Sequence, residues 1–194
     1  MSASIAQAER QALCALLEDR GPLAPTLCEG WTTADLAAHL YVRERKPLVA
    51  PGALVRALAP LTERAMQSAK RELGYAGLIA SLREGPPMPL RLVDAQMNTA
   101  EYFIHHEDVR RASPEWEPRQ DAALDASLWT LIRRSAWLLT RRISGAGLQL
   151  EAPGFGSFTA RRGQPVATLR GGPQELLLYL FGRRSAVRVD LEGA

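Results

Sequence analysis

The 194-residue chain has only three histidines, His39, His105 and His106, in two stretches that read as helices. On a helix, Glu101 and His105 share one face because they lie four residues apart. His39 projects about 60° from Leu36, on the side expected to face the protein interior. Two imidazoles and one carboxylate form a plausible tridentate site for zinc or a similar divalent ion. Three protein ligands leave a position open for water or substrate.

The same residues also have simpler, purely structural explanations. A Glu and a His four residues apart are often only a surface pair, and a lone histidine such as His39 is often only a satisfied core residue. Asp35 is a competing partner for His39, although a capping role explains it more simply. His106 projects about 100° further round the helix and is expected to face solvent. The polar stripe beside Glu101 and His105 also contains Asp94, Asn98 and Asp108.

Two further residues near these positions have a chemical and a structural interpretation. Asp108 is a candidate to orient an imidazole or to act as a general base, and it could equally pair with Arg110 or Arg111. Cys28 could approach the metal or be a reactive thiol, and a small buried residue in a packed turn is the simpler interpretation.

Apolar periodicity predicts five helices before residue 143. They cover residues 4–20, 33–46, 61–83, 92–112 and 120–142. Thr32 and Asp35 form a predicted capping box at the start of the second helix, with Trp31 as a hydrophobic staple on Leu36. The third helix is weakened by glycine, and Pro47 and Pro51-Gly52 mark breaks before it.

Beyond Gly145 the pattern changes to short β-rich pieces separated by glycine. Strands are predicted around residues 148–150, 156–159, 166–169 and 187–190. One short helix begins at Gly172-Pro173 and ends at Gly182, with proline at its start and glycine at its end. The predicted fold is mainly α: a helical bundle over residues 1–145 and a small α+β domain over residues 146–194.

Composition excludes several classes of protein. The 24 basic and 21 acidic residues leave a net charge of only +3, without the dense basic stripe and interleaved aromatics of nucleic-acid-binding proteins. The longest apolar run, residues 176–181, is too short to cross a bilayer, and the first residues lack a signal core. A cytoplasmic location is therefore expected, and in a reducing cytosol Cys14 and Cys28 are expected to be free thiols.

No Gly-rich phosphate loop, nucleophile elbow, Cys-x-x-Cys pair or His-Glu-x-x-His motif is present in the sequence. NTPase, α/β-hydrolase, zinc-finger and zincin functions therefore lack their usual signatures.

Two segments carry a resemblance to a known family. Residues 27–40, LCEGWTTADLAAHL, and residues 101–110, EYFIHHEDVR, resemble the DinB-like metal-binding superfamily. They are most similar to actinobacterial proteins related to mycothiol-dependent maleylpyruvate isomerase, within a metal-binding subgroup of unassigned reaction. The resemblance implies a DinB-like four-helix bundle that binds a divalent metal, usually zinc. Its ligands would be His39, Glu101 and His105, the residues that the helical projection selects.

The resemblance also implies a function. The metal would activate the thiol of mycothiol or another small thiol for isomerisation or transfer on a small molecule. Arg110, Arg183 and Arg184 are candidates to hold a carboxylate substrate or anionic cofactor. The alternative is a non-catalytic module that binds a metal or small ligand in sensing or stress response. We expect a monomer or homodimer with no nucleic-acid or membrane partner.

Overall fold

The computed structural model describes residues 4–46, 59–86, 95–141, 143 and 145–193. Its internal contacts divide the chain into two compact units, residues 1–117 and 118–194. The sequence-based domain boundary after residue 145 remains a prediction. The helix predicted over residues 120–142 belongs to the second unit, together with the strands that follow it.

The first unit contains the four helices expected of a bundle. They are α1 (Ile5–Arg20), α2 (Thr33–Arg45), α3 (Ala59–Glu84) and α4 (Ala95–Arg110). Helix α1 packs on α3 and α4, and α2 packs on α3. The predicted start of the fourth helix at residues 92–94, the stop at Pro47 and the breaks at Pro51-Gly52 lie outside the described residues.

Local sequence sets where these helices begin and break. The side chain of Ser4 accepts a hydrogen bond from the Gln7 N–H at the start of α1, and Gly21 ends that helix with a φ of 74°. Gly74 interrupts α3 with a φ of 62°, a left-handed conformation that glycine adopts without a Cβ penalty. The weakened third helix is therefore two helical segments joined at Gly74.

Apolar side chains from all four helices form the core of the first unit. Its fully buried members include Leu13, Leu17, Leu36, Leu40, Leu78 and Tyr102. A buried ion pair crosses this core, where the Arg10 guanidinium bonds both carboxylate oxygens of Glu44 at 2.5 and 2.9 Å. The Tyr102 hydroxyl donates to Glu44 at 2.6 Å, so α1, α2 and α4 are joined at one carboxylate.

The second unit combines two helices and a small sheet. Its elements are α5 (Ala122–Leu139), β1 (Gly147–Ala152), β2 (Gly156–Arg161), β3 (Val166–Arg170), α6 (Pro173–Leu180) and β4 (Asp190–Glu192). The strand order is β2-β1-β3-β4, with β1 and β3 parallel and the other pairs antiparallel. Helix α5 packs on β2 and α6. The mainly α prediction with a small C-terminal sheet is confirmed.

The strand predicted over residues 187–190 is wrong in position. Residues 184–186 form a short 3-10 turn, and the strand spans Asp190–Glu192. The cause is a side chain of α6: Glu175 accepts a hydrogen bond from the Arg188 N–H at 2.8 Å. This bond uses the Arg188 N–H that would otherwise donate to a neighbouring strand. Residues 187–189 therefore do not form a strand despite their alternating pattern.

Among the described residues, no helix is both long and apolar enough to cross a membrane.

Candidate metal centre

Helix α2 presents His39 from a firmly capped start. The Thr32 side chain accepts from the Asp35 N–H, and the Asp35 carboxylate accepts from the Thr32 N–H, which confirms the predicted capping box. Lys70 on α3 donates to the other Asp35 oxygen at 2.6 Å. Asp35 is therefore held by its cap and by Lys70, and His39, one turn further on, faces a different carboxylate.

That carboxylate is Glu101 on α4. Its Oε1 lies 3.5 Å from His39 Nε2 and 3.4 Å from His105 Nε2. The ligand atoms of these three residues all lie within 4.8 Å of one another. The two imidazole rings meet edge to face, with centroids 5.4 Å apart. The structure thus brings together the three residues selected from the sequence.

The separations suit a single ion. Two ligand atoms about 2.1 Å from a tetrahedral zinc lie about 3.4 Å apart, close to the spacing of Glu101 Oε1 from each histidine. The His39 and His105 side chains are 11% and 10% exposed, whereas Glu101 is 26% exposed. The donor set of two nitrogens and one oxygen matches catalytic rather than structural zinc sites, and the carboxylate of Glu101 keeps it partly accessible to solvent.

Asp108 lies on the other side of the His105 ring. Its Oδ2 is 2.9 Å from His105 Nδ1 and 3.2 Å from the Cys28 sulfur, and Asp108 is completely buried. Donation of the Nδ1–H to Asp108 leaves Nε2 as the ring nitrogen available to a metal. The predicted role of Asp108 in orienting an imidazole thus has a geometric basis, because Asp108 lies within hydrogen-bond distance of His105.

Cys28, His105 and Asp108 form a second group of donors within 4.8 Å of one another. Its shortest separation, 2.9 Å, is that of a hydrogen bond and is shorter than the roughly 3.4 Å expected between two ligands of one zinc ion. We therefore assign Asp108 and Cys28 to the support of His105, and we take His39, Glu101 and His105 as the candidate ligands.

Trp31, in the loop before α2, packs beside His39. The two rings are tilted by 49° with centroids 5.1 Å apart. The loop also bonds to the end of α4, since the Leu27 N–H donates to the Asp108 carbonyl at 2.9 Å. This loop therefore supports both candidate histidines. Trp31 packs on the His39 ring, and Cys28 contacts the Asp108 side chain that lies against His105.

Electrostatics at the site follow these contacts. Burial raises the pKa of Glu101, but hydrogen bonds with His105 and His39 and the charges of His105 and Arg43 lower that pKa well below 4.5. Burial lowers the pKa of His105, but hydrogen bonds with Asp108, Cys28 and Glu101 raise it well above 6.5. The site therefore stabilises an anionic carboxylate, and a metal must displace a proton to bind His105.

Arg43 is a site residue that the sequence analysis missed. Its Nε lies 3.4 Å from Glu101 Oε1, and its Nη1 donates to Asn98 Oδ1 at 2.8 Å. Arg43 follows His39 by four residues, the same spacing as Glu101 and His105. Applied to α2, that spacing would have identified it.

The prediction that His106 faces solvent is wrong. His106 is 7% exposed, and its Nδ1 lies 3.1 Å from Glu9 Oε2 on α1. The reason is that α1 packs along α4, so the face of α4 that carries His106 is covered as well.

The arginine candidates have other contacts. Arg110 bonds both carboxylate oxygens of Glu107 at 2.7 and 2.9 Å. In the second unit, Arg183 donates to the Phe181 carbonyl at 2.8 Å, and the Arg184 guanidinium lies 5.3 Å from the centre of the Tyr179 ring. Substrate binding by these arginines remains a prediction.

Comparison with known proteins identifies the fold. No protein-family model matches the chain, and no curated protein matches it. The crystal structure of the mycothiol-dependent maleylpyruvate isomerase is similar, with a TM-score of 0.61 and 20% identity, over 98% of this chain and 91% of that chain. A histidine-to-alanine mutant of that isomerase matches with a TM-score of 0.59 and 19% identity, over the same shares. The chain has the DinB-like fold that the sequence resemblance predicted.

Proposed function

We propose that the protein binds a divalent metal, zinc above all, through His39, Glu101 and His105. We further propose that it is a thiol-dependent isomerase or S-transferase acting on a small molecule. The observation that carries the proposal is the convergence of His39 Nε2 and His105 Nε2 on Glu101 Oε1 at 3.4 to 3.5 Å. The likeness to an isomerase that uses mycothiol supports the thiol-dependent part.

Five residues would take part in the proposed metal centre. His39, Glu101 and His105 would hold the ion, Asp108 would orient the His105 ring, and Trp31 would fix the ring of His39. A dication held there would supply thiol activation, because a metal-bound thiol loses its proton to solvent at neutral pH and is then a thiolate nucleophile. The cofactor would be mycothiol or another small thiol.

The metal assignment is tested by titrating zinc into the tag-free protein and into His39→Ala and His105→Ala. We expect one zinc per wild-type chain and strongly weakened binding in both variants. His106→Gln is the matched control, because it changes the neighbouring histidine, retains a side-chain N–H donor toward Glu9 and leaves the three ligands intact. Equal zinc affinity in all four proteins would contradict the assignment.

The thiol-dependent function is tested by thermal unfolding with mycothiol, with and without zinc. A ligand that binds only the native state raises the unfolding midpoint in a saturable way. We expect mycothiol to stabilise the zinc-loaded protein and to have no effect on the zinc-free protein or on His105→Ala. Zinc binding without any stabilisation by mycothiol or other small thiols would instead favour a non-catalytic metal-binding module.

As part of the same proposal we place the protein in the cytoplasm. Cys14 and Cys28 are both free thiols in the structure, which fits a reducing compartment.

A further inference from the structure

Arg43 contacts the carboxylate oxygen that both candidate histidine ligands face. Its Nε lies 3.4 Å from Glu101 Oε1, and the same oxygen lies 3.5 Å from His39 Nε2 and 3.4 Å from His105 Nε2. A dication bound through this oxygen would compete with the Arg43 guanidinium, because both cations are attracted to one negative charge. Glu101 therefore links Arg43 energetically to the metal.

Asn98 gives the Arg43 guanidinium a second anchor. Arg43 Nη1 donates to Asn98 Oδ1 at 2.8 Å, and Asn98 lies three residues before Glu101 on the same flank of α4. This hydrogen bond does not involve Glu101, so it retains the guanidinium beside the site when Glu101 engages an ion. The Arg43 side chain is 20% exposed and that of Glu101 is 26% exposed, so both are within reach of a small molecule from solvent.

The charges at this place favour an anion. A dication and Arg43 together would bring three positive charges to a place where the Glu101 and Asp108 carboxylates supply two negative charges, and an incoming anion would reduce this excess. The guanidinium is a planar fork of N–H donors that matches a carboxylate in a two-bond arrangement. Glu101 and Asn98, two of its present partners, already offer it planar oxygen acceptors.

We propose that Arg43 binds a carboxylate group of the small molecule that enters the site, and that carboxylate binding and metal binding strengthen each other through Glu101. This inference rests on the proposed metal site. Linkage requires the effect to be reciprocal, so zinc raises the carboxylate affinity by the factor by which the carboxylate raises the zinc affinity. Couplings of this kind are typically about 5-fold to 150-fold.

The test is a set of calorimetric titrations on wild type, Arg43→Met, Arg43→Lys and Arg83→Met. Succinate is the carboxylate probe, succinamide is its neutral counterpart, and each is titrated with and without zinc. Arg83→Met is the matched control, because Arg83 pairs with Glu18 in an exposed ion pair and its loss removes the same charge. Circular dichroism checks that every variant is folded.

Zinc-loaded wild type and Arg83→Met should bind succinate at least about tenfold more tightly than zinc-loaded Arg43→Met, as expected for loss of a charge-assisted hydrogen bond. Succinamide should show no such difference. Arg43→Lys keeps the positive charge but lacks the planar N–H donors of the guanidinium, so its succinate affinity should lie between those of wild type and Arg43→Met.

Zinc affinity without any carboxylate separates this role from a structural one. Arg43→Met should bind zinc no more weakly than wild type, since a competing cation has been removed. Weaker zinc binding by Arg43→Met would mean that Arg43 only positions Glu101, and it would overturn the inference. Succinate affinities that are equal in zinc-loaded wild type and Arg43→Met would overturn it while leaving the metal site intact. A wild-type protein that binds no zinc would instead refute the proposed function, and the coupling with it.

Discussion

The carboxylate of Asp108 accepts a hydrogen bond from the ring of His105, with Oδ2 2.9 Å from Nδ1, at a position where Asp108 is completely buried. The pairing fixes the ring and directs Nε2 toward Glu101. A partner of this kind raises the basicity of a histidine ligand and selects its tautomer.

Asp108→Asn should therefore weaken zinc binding without removing a ligand. Loss of such an outer partner typically costs about 10-fold to 100-fold in metal affinity. Competition with a chromophoric chelator measures the change, and Asp125→Asn, an aspartate of the second unit bonded to Gln174, is the control. Unchanged zinc affinity in Asp108→Asn would show that the hydrogen bond does not tune the site.

The capping box of α2 should contribute measurably to stability. Asp35→Ala removes the bonds to Thr32 and Lys70, and we expect a loss of about 1 kcal/mol in the free energy of unfolding. Asp19→Ala is the control, because Asp19 is highly exposed and should change stability by less than about 0.5 kcal/mol. Urea denaturation measures both. Equal stability of the two variants would contradict the structural role of the box.

The ion pair of Asp35 with Lys70 predicts that the stability of the protein depends on pH. Burial raises the pKa of Asp35, but hydrogen bonds with Lys70 and Thr32 lower it below 3.8. A folded-state pKa below the unfolded value means that this stabilisation is present above about pH 4 and is lost as the pH falls through the folded value. The stability difference between wild type and Asp35→Ala should therefore shrink on acidification below pH 4. A difference that stays constant between pH 7 and pH 3 would be inconsistent with the ion pair.

Cys14 should be unreactive in the folded protein. It is fully buried, and burial raises the pKa of its thiol to about 11, so little thiolate exists at pH 8. Ellman's reagent should modify at most one thiol per native chain and two after denaturation. Cys14→Ala should leave the native count unchanged. Rapid modification of Cys14 in the native Cys28→Ser variant would contradict the buried position.

The buried ion pair between Arg10 and Glu44 should be costly to break on one side. Glu44→Ala leaves the Arg10 guanidinium without its carboxylate and the Tyr102 hydroxyl without its acceptor. We expect a loss of about 3 to 5 kcal/mol in the free energy of unfolding. Glu18→Ala, which breaks an exposed pair with Arg83, should cost less than about 1 kcal/mol. Similar losses in both variants would mean that burial adds nothing to the Arg10 pair.

The helices and the pairing of Glu101 with His105 were predictable because the information is local, whereas the approach of His39 on α2 to Glu101 on α4 depends on tertiary packing. Spacing of four residues places Glu101 and His105 together whatever surrounds them, and the sequence from Trp31 to Asp35 specifies the start of α2. The position of His106 was not predictable in this way. A helical projection with one apolar face assumes one buried side, whereas α4 is covered on several sides and α1 supplies Glu9 as a polar partner.

Arg43 was missed and the last strand was misplaced for a related reason. Long side chains reach across helices, so the contact of Arg43 with Glu101 depends on how α2 and α4 face each other. The alternating pattern of residues 187–190 favours a strand, but a single bond from the Arg188 N–H to Glu175 decides the outcome. Such competing tertiary contacts are not encoded in local periodicity.

In the proposed metal centre, one ion is held by two imidazoles and the Glu101 carboxylate. X-ray absorption at the zinc edge of the loaded protein tests it most directly. We expect only nitrogen and oxygen neighbours, about 2.0 to 2.2 Å from the ion, with the outer-shell signature of two imidazoles, and no sulfur when the thiol cofactor is absent. A sulfur neighbour at about 2.3 Å that disappears in Cys28→Ser would place the ion at Cys28, His105 and Asp108 instead, and would contradict the assignment.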